Sequence, residues 1–597
     1  MTTPQVATGL KNLFHRRGQF VVIGLTGRTG SGCSTVARLL NQEFTKLNPP
    51  ASKNSNPTPE DRKYRITRDY AAIHWIPFFS LSISNVIQSF LLDSEEEDLR
   101  KFLNLKDNKI KGEQIEPFIA EWRPASEKWK STSRSLFPSS APITEKEEFV
   151  KIWNDDLPTF FNTVKKGLGA ESTRFLQTIG DNLRKSGNPF SNDFIPDNFY
   201  ELPDRVVNIV STIKEINSTK KRPTYIVLDA IRNPFELLYF RDSFPAFYVV
   251  AITTKNDERE KRLIQIGLNH NQIQDLDKKE YPDKNKPLSG YDSFTSQNIQ
   301  SCLEKADIYL RNDGAAPPSQ EINFGNLTEQ LVRYFSLIIH PGIVTPTRAE
   351  RCMQIAFSAK ANSGCISRQV GAAITDQYGS IKAIGWNDVP EGQLPCILRN
   401  ATDLLNNADE SAFSVYEYKD KEFRKQLDKS YKRFKLVDMS GRSPAFCFKY
   451  EYNTLKDKDN QVHTRSLHAE ENAFLQLAKY GGEGIKGGKL FTTASPCELC
   501  AKKAFQLGIK EIIYIDPYPG ISMDHILQSG RESFRPEVEL FQGSVGQAYH
   551  RLYDPILPYK DEIFALMQNS DTSPETSNSG NSEKNSLFLD IFDSKTS

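Results

Sequence analysis

Two short clusters of metal-binding residue types, His468-Ala469-Glu470 and Pro496-Cys497-Glu498-Leu499-Cys500, constrain this 597-residue chain more than any other feature. Residues 468–480 and 496–507 both have helical spacing, and each stops at a glycine, Gly481 or Gly508. Strand-like residues 488–493 lie between them and residues 511–515 follow, so each cluster sits where a loop or strand turns into a helix. That alternation predicts α/β layering. Ser495 can cap the second helix, and Pro496 suits its first turn. A Cys-x-x-Cys pair in a first turn places both sulfurs on one face. With His468, which precedes Cys497 by 29 positions, they give three ligands for Zn2+ and leave a fourth tetrahedral position for water. A structural site would supply a fourth Cys or His instead. Positive partial charge at both helix N-termini favours the thiolates. Glu470, two residues beyond His468, is spaced to face the cavity without ligating, as a proton shuttle must.

His-x-Glu followed by Pro-Cys-x-x-Cys is the signature of zinc nucleobase deaminases. Zinc lowers the pKa of its water to about 7. Hydroxide would then attack C4 of cytosine, while Glu470 protonates N3 and passes a proton to the departing ammonia. Residues 351–522 resemble the deoxycytidylate deaminase family, through Ser363-Gly-Cys-Ile-Ser-Arg-Gln-Val-Gly-Ala372, Gly385-Trp-Asn387 and the two clusters above. The resemblance implies a cytidine-deaminase-like α/β/α domain with a central mixed sheet, in which Arg368 and Asn387 help to hold the phosphate and sugar of a deoxycytidine nucleotide. It also implies a candidate second, structural Zn2+ at Cys365 and Cys396, with Cys447 and His463 available to complete a Cys₃His set. The competing reading of those residues is buried free thiols. The stretch between Cys396 and Arg465 is longer than the family usually has, which leaves mono- and triphosphate substrates (dCMP and dCTP) both open.

A second motif lies near the start. Residues 20–24 read as a buried strand that runs into Gly27-Arg28-Thr29-Gly30-Ser31-Gly32-Cys33-Ser34, and residues 34–44 then have helical spacing. This is the spacing of a phosphate-binding P-loop, whose backbone N–H groups cradle phosphate and whose last hydroxyl, here Ser34, meets Mg2+. The lysine that should neutralise the β- and γ-phosphates is replaced by Cys33. Loss of that charge predicts a kinase-like fold used as a nucleotide sensor or regulator, not a working kinase. Strand-like residues 224–229, 247–253 and 306–311 alternate with helical stretches and predict a parallel sheet. Asp229 ends one of these runs as a Walker-B acid would, and Asp307 and Asn312 follow in the last. Arg259 and Arg262 fall at lid positions, although their spacing reads better as a solvated helix face.

The expected organisation is therefore a P-loop kinase-like region with a helical insertion (residues 1–340), a deaminase region with an insertion near residues 397–465 (residues 341–568), and a disordered tail (residues 569–597). Residues 47–61, rich in Pro, Asn and Ser, are expected to be a loop. A net charge of +1 gives no global attraction to nucleic acid or to an anionic membrane. The apolar runs fall far short of the ~20 residues that span a bilayer. Residues 1–17 lack a signal pattern, and eight sparse cysteines suit a reducing cytoplasm. The whole layout resembles the bacterial antiviral (antiphage) cytidine deaminases. That resemblance implies depletion of deoxycytidine nucleotides during infection, a homo-oligomer and, as in some relatives, an inhibitory small RNA. A nucleic-acid-editing deaminase is the alternative, and it would need a basic, aromatic groove. The nearest feature, Lys429-Ser-Tyr-Lys-Arg-Phe-Lys435, is flanked by Asp428 and Asp438 and reads as a helix face. An inert nucleotide-binding module is a third reading, and the intact Glu470 argues against it.

Overall fold

The apolar run near the start of the chain forms β1 (Phe20–Thr26), and the glycine-rich loop leads from it into α1 (Cys33–Leu40). The structure is a computed structural model that describes residues 9, 12–14, 16–51, 56–105, 110–133, 147–148, 150–281, 295–313, 325–432, 439–458, 462–481, 484–516 and 522–567. Strand β2 (Phe79–Ser82) is followed by a block of helices, and then by β3 (Thr224–Asp229) and β4 (Phe247–Thr253). Next come α2 (Asn256–Gln265), α3 (His270–Glu280), α4 (Ile299–Glu304) and β5 (Ile308–Arg311). These strands pair in parallel in the order β5-β4-β1-β3-β2. Every residue of β4 is buried, as are six of the seven in β1. Such unbroken apolar runs are what a parallel sheet covered on both faces requires.

Helix α5 (Arg348–Ala359) opens the second half with a capping box: Thr347 Oγ1 accepts from Glu350 N, and Glu350 Oε2 accepts from Thr347 N. Strands β6 (Gly371–Thr375) and β7 (Ile381–Trp386) precede α6 (Ala469–Tyr480), β8 (Lys489–Ala494), α7 (Glu498–Gln506), β9 (Glu511–Asp516) and β10 (Glu537–Leu540). They form a mixed sheet in the order β10-β9-β8-β6-β7, with β8, β9 and β10 parallel and β6 antiparallel to both neighbours. Ala373, Phe491 and Ile513 pack with Met353 and Ala356 of α5, whereas Ala372, Ile374, Leu490 and Ile512 pack with Ala469 and Ala473 of α6. Successive residues of a strand point to opposite faces, so α5 and α6 cover opposite sides of this sheet. Between β7 and α6, helices Ala401–Leu405, Val415–Lys419, Lys421–Tyr431 and Phe448–Lys456 enclose a small core of their own around Phe423, Leu427 and Phe446. Arg399, fully buried, pairs with Glu417, and Arg465 Nη1 joins the same carboxylate at 2.9 Å. That ties the insertion to the chain three residues before His468.

Several details depart from the sequence reading. The chain returns after β10 to add β11 (Gly543–Ser544) antiparallel to β5, so the first sheet is parallel except for this edge. Helix α8 (Gly546–Tyr553) follows it. The stretch expected to be a loop ends at Thr58, because Thr58 and Asp61 form a capping box that starts the helix Pro59–His74. Arg259 and Arg262 are not on a solvated face. Arg259 is 3% exposed, its Nε donates to Thr29 O at 2.7 Å and its Nη2 pairs with Asp277 at 2.6 Å, while Arg262 Nη2 donates to Asn312 O at 2.7 Å. The proposed tail, residues 569–597, and residues 433–435 of the basic segment lie outside the described residues. The described residues between 18 and 554 form one unit, and those before 18 and after 554 form a second, in which Tyr559–Met567 is helical.

Glu350 joins the two halves of the larger unit. Its Oε1 accepts from Tyr334 at 2.9 Å, Tyr553 at 2.7 Å and Ser544 N at 3.0 Å, and its Oε2 faces Arg333 Nη2 at 3.2 Å. Burial pushes this carboxyl up, but Arg333 and the hydrogen bonds from Thr347, Tyr553 and Tyr334 pull harder, so it sits below the ordinary range. A depressed carboxylate contributes stability that is complete above its unfolded value of about 4.3 and is lost as pH falls through the folded one. Glu350→Ala should cost about 1–3 kcal/mol in denaturant melts at pH 7, because the buried Tyr334 hydroxyl and Ser544 N lose their acceptor, while Arg333 keeps Glu60 at 3.5 Å. The gap between wild type and variant should narrow in melts repeated at progressively lower pH below 4.3.

Candidate active site

His468 is the N-cap of α6 and Cys497 the N-cap of α7, so both ligand-bearing residues sit at helix starts. The fold brings these starts together because β7 passes very close to α6. A Cβ on Gly385 would lie 2.2 Å from Ala469 O and 2.5 Å from Ala473 N, so only glycine fits there. Asn472 Nδ2 donates to Trp386 O at 3.0 Å and fixes the same approach. Ser495 N donates to Asp516 O at 2.9 Å, which pins the turn from β8 into α7.

His468 Nδ1 lies 3.2 Å from Cys497 Sγ and 3.6 Å from Cys500 Sγ. All three ligand atoms fall within 4.8 Å of one another, and no other such His/Cys/Asp/Glu group occurs among the described residues. Two sulfurs and an imidazole nitrogen at this separation are a soft donor set that fits tetrahedral zinc, with one position left for a small molecule. Cys497 is drawn down to about 4, chiefly by its hydrogen bond with Cys500 and then by His468, while Cys500 is pushed up by the same partner. His468 is raised, first by its hydrogen bond with Cys497.

Glu470 is 3% exposed, and burial raises its carboxyl above the ordinary range. The Thr492 hydroxyl stands 3.1 Å from Glu470 Oε1 and 2.8 Å from Ala494 O. With one proton and free lone pairs, that hydroxyl can donate to a carboxylate or accept from the acid, so it suits either state of Glu470. The next residue, Glu471, turns away and pairs with Lys503.

The remaining predicted residues fall into three places. Asn387 spends both ends of its amide on the loop before β6: Oδ1 accepts from Val370 N and Nδ2 donates to Arg368 O, each at 2.7 Å. It therefore shapes the loop that carries Arg368. Arg368 pairs with the fully buried Asp516 and, at 3.1 Å, with Glu304. Cys396 is raised by burial and then by the nearness of Cys447 and Cys365, but these thiols and His463 are not gathered as tightly as the first set. His463 packs its ring on Tyr452 at 4.5 Å.

In the glycine-rich loop, Gly30 and Gly32 take positive φ, and a Cβ on Gly32 would strike Asn312 Nδ2. Cys33 is buried beside Ser31 Oγ, at 3.9 Å, and burial pushes its thiol up to about 12. Ser34 hydrogen-bonds Asp229, whose Oδ1 is buried with no hydrogen-bond partner. A Cβ on Gly27 would lie 2.5 Å from Ser31 Oγ and 2.6 Å from Ile252 O. Glu280 accepts from Thr29 N at 2.9 Å, so a carboxylate from α3 occupies one of the loop's donors. Thr492, Asp516, Glu304 and Glu280 were not singled out from the sequence. Only Asp516, at the C-terminal end of an apolar strand, carried a signal that could have found it.

Residues 346–516 match the family described as the cytidine and deoxycytidylate deaminase zinc-binding region. This stretch is a deaminase domain of that class, and the chain is a hydrolytic deaminase. Over 173 residues the chain is 29% identical to the deoxycytidylate deaminase of Enterobacteria phage T2, which covers 29% of this chain and 81% of that protein. The deoxycytidylate deaminase of Enterobacteria phage T4 is 28% identical over 173 residues, covering 29% and 79%. A crystal structure of the dCMP deaminase from cyanophage S-TIM5, in complex with dCMP and dUMP, is 24% identical and covers 33% of this chain and 99% of its own, with a TM-score of 0.20. No described helix is long and apolar enough to cross a membrane.

Glu470→Ala should bind zinc and melt normally yet lose at least about 10²-fold in kcat, since only the proton path is removed. Cys497→Ala should lose both metal and activity. Plasma emission analysis of the wild type should give one zinc per chain; a second equivalent would mean that Cys365, Cys396, Cys447 and His463 close around a metal.

Proposed function

We propose that this chain deaminates the cytosine of a free deoxycytidine nucleotide, dCMP or dCTP, giving the uracil nucleotide and ammonia. The observation that carries the reading is Glu470, a buried carboxyl two residues from a three-ligand metal set that no fourth described side chain completes. Similarity to the two phage deoxycytidylate deaminases supports the choice of base and sugar.

The zinc that His468, Cys497 and Cys500 would hold supplies Lewis acidity that brings water's pKa near 7. Glu470 takes one proton from the attacking water and delivers it to N3, then takes the second from the new C4 hydroxyl and delivers it to the exocyclic amine. A C4–O bond forms, the C4–N4 bond breaks, and one water is consumed for each ammonia released. Thr492 keeps Glu470 aimed through both of its protonation states. Arg368, carried on the loop that Asn387 braces, offers its guanidinium to the nucleotide's phosphate.

The N-terminal half fits a nucleotide-responsive regulator. The hydrogen bond between Ser34 and Asp229 supports a Mg2+ role for the pair, and the buried Cys33, where phosphoryl transfer needs a lysine, argues against a working kinase. In a cell the activity would drain the deoxycytidine nucleotide pool, in keeping with the resemblance of the layout to antiphage deaminases. Control by a nucleotide at the loop or by a small RNA, and assembly as a cytoplasmic homo-oligomer, belong to the same reading. Incubation with dCMP, dCTP and single-stranded DNA, followed by ammonia release and mass spectrometry, should yield uracil in the free nucleotides. Uracil confined to the DNA would move the chain to polymer editing.

A further inference from the structure

The two halves meet at the arginine assigned to the nucleotide's phosphate. Arg368 Nη2 stands between two carboxylates: the buried Asp516 at the end of β9, and Glu304 Oε1 at 3.1 Å, which comes from the last residue of α4 in the N-terminal half. Gln300, one turn earlier on α4 and 4% exposed, donates from Nε2 to the same Asp516 Oδ2 at 2.9 Å. Arg368 and Glu304 also line a cavity of about 740 Å³ at this seam, with Lys305, Asp307, Lys360 and Gln369. The guanidinium therefore already has two anionic partners from different halves where it would have to meet a phosphate.

The start of α4 is fixed to the glycine-rich loop. Asn298 N donates to Arg232 O at 2.9 Å, and Arg232 Nη1 reaches Thr29 Oγ1 at 3.0 Å and Glu280 Oε1 at 3.1 Å. Thr29 belongs to the loop, and Glu280 holds its N–H. Two residues thus separate the glycine-rich loop from the element that holds Arg368.

We propose that α4 is a positioning element of the deaminase site and that Glu304 and Gln300 are its positioning residues. Gln300 orients Asp516, and Glu304 shares the Arg368 guanidinium and withholds it from the phosphate of an incoming nucleotide. The inference rests on the reading that Arg368 meets that phosphate. Asp516 alone gives Arg368 one partner and leaves its remaining N–H groups for substrate; Glu304 adds both a competing acceptor and a negative charge that repels phosphate. Glu304 is 36% exposed at its side chain, so its effect is modest and its replacement is tolerated by the fold.

The test is steady-state kinetics of the zinc-loaded full chain on dCMP and on deoxycytidine, which lacks the phosphate. Glu304→Gln should lower KM for dCMP by about three- to fivefold with kcat unchanged, the size expected of a part-exposed ion pair. KM for deoxycytidine should not move, and Glu304→Asp should stay closer to wild type than Glu304→Gln. An unchanged or raised KM for dCMP in Glu304→Gln, together with a raised KM for dCMP alone in Arg368→Ala, would overturn the inference and leave the phosphate role standing. If Arg368→Ala affects dCMP and deoxycytidine alike, the phosphate role fails and the inference fails with it.

Discussion

Bringing an imidazole and two thiols to within 4.8 Å at the starts of two helices is the constraint on which the rest of the second half turns. The neighbouring thiols draw Cys497 toward thiolate and push Cys500 up. The fold holds the set together by close backbone approach more than by side-chain bonds. Gly385 admits α6 against β7, and the hydrogen bond from Ser495 N to Asp516 O fixes the turn into α7. With both helix starts placed, Glu470 is buried against Thr492, while Glu471, one residue further on, faces Lys503.

The two sheets are not independent beads. The chain that leaves the deaminase sheet through β10 supplies β11 to the edge of the first sheet, and Glu350 collects donors from Tyr334, Ser544 and Tyr553 at that crossing. A buried carboxylate with this many partners fixes a single arrangement, because any shift strands a charge in the core. On the other side, α4 reaches Asp516 and Arg368. The N-terminal and deaminase halves are therefore joined by contacts within one unit.

What was legible in the sequence follows from how local each signal is. Strands β1, β3 and β4 were readable because they are unbroken apolar runs, and the clustering of His468, Cys497 and Cys500 because such residues at fixed spacing around helix starts have few other uses. The capping box at Thr347 was readable for the same reason. β2, β10 and β11 were not: they are short and lack a long apolar run, and β11 pairs with a strand more than 230 positions away. Arg259 and Arg262 misled because their spacing fits a solvated face, while their partners Thr29, Asp277 and Asn312 come from distant elements. Asn387 was linked to substrate by resemblance, yet its amide binds Val370 and Arg368, a role only the folded loop reveals.

The central claim concerns the coordination of one metal, so zinc X-ray absorption of the purified chain tests it most directly. The account predicts two sulfur scatterers at ~2.3 Å and two light scatterers at ~2.0–2.1 Å, one of them the imidazole of His468. A fit requiring three or four sulfurs, or a second imidazole in place of the solvent ligand, would make the site structural and contradict a hydrolytic role for Glu470.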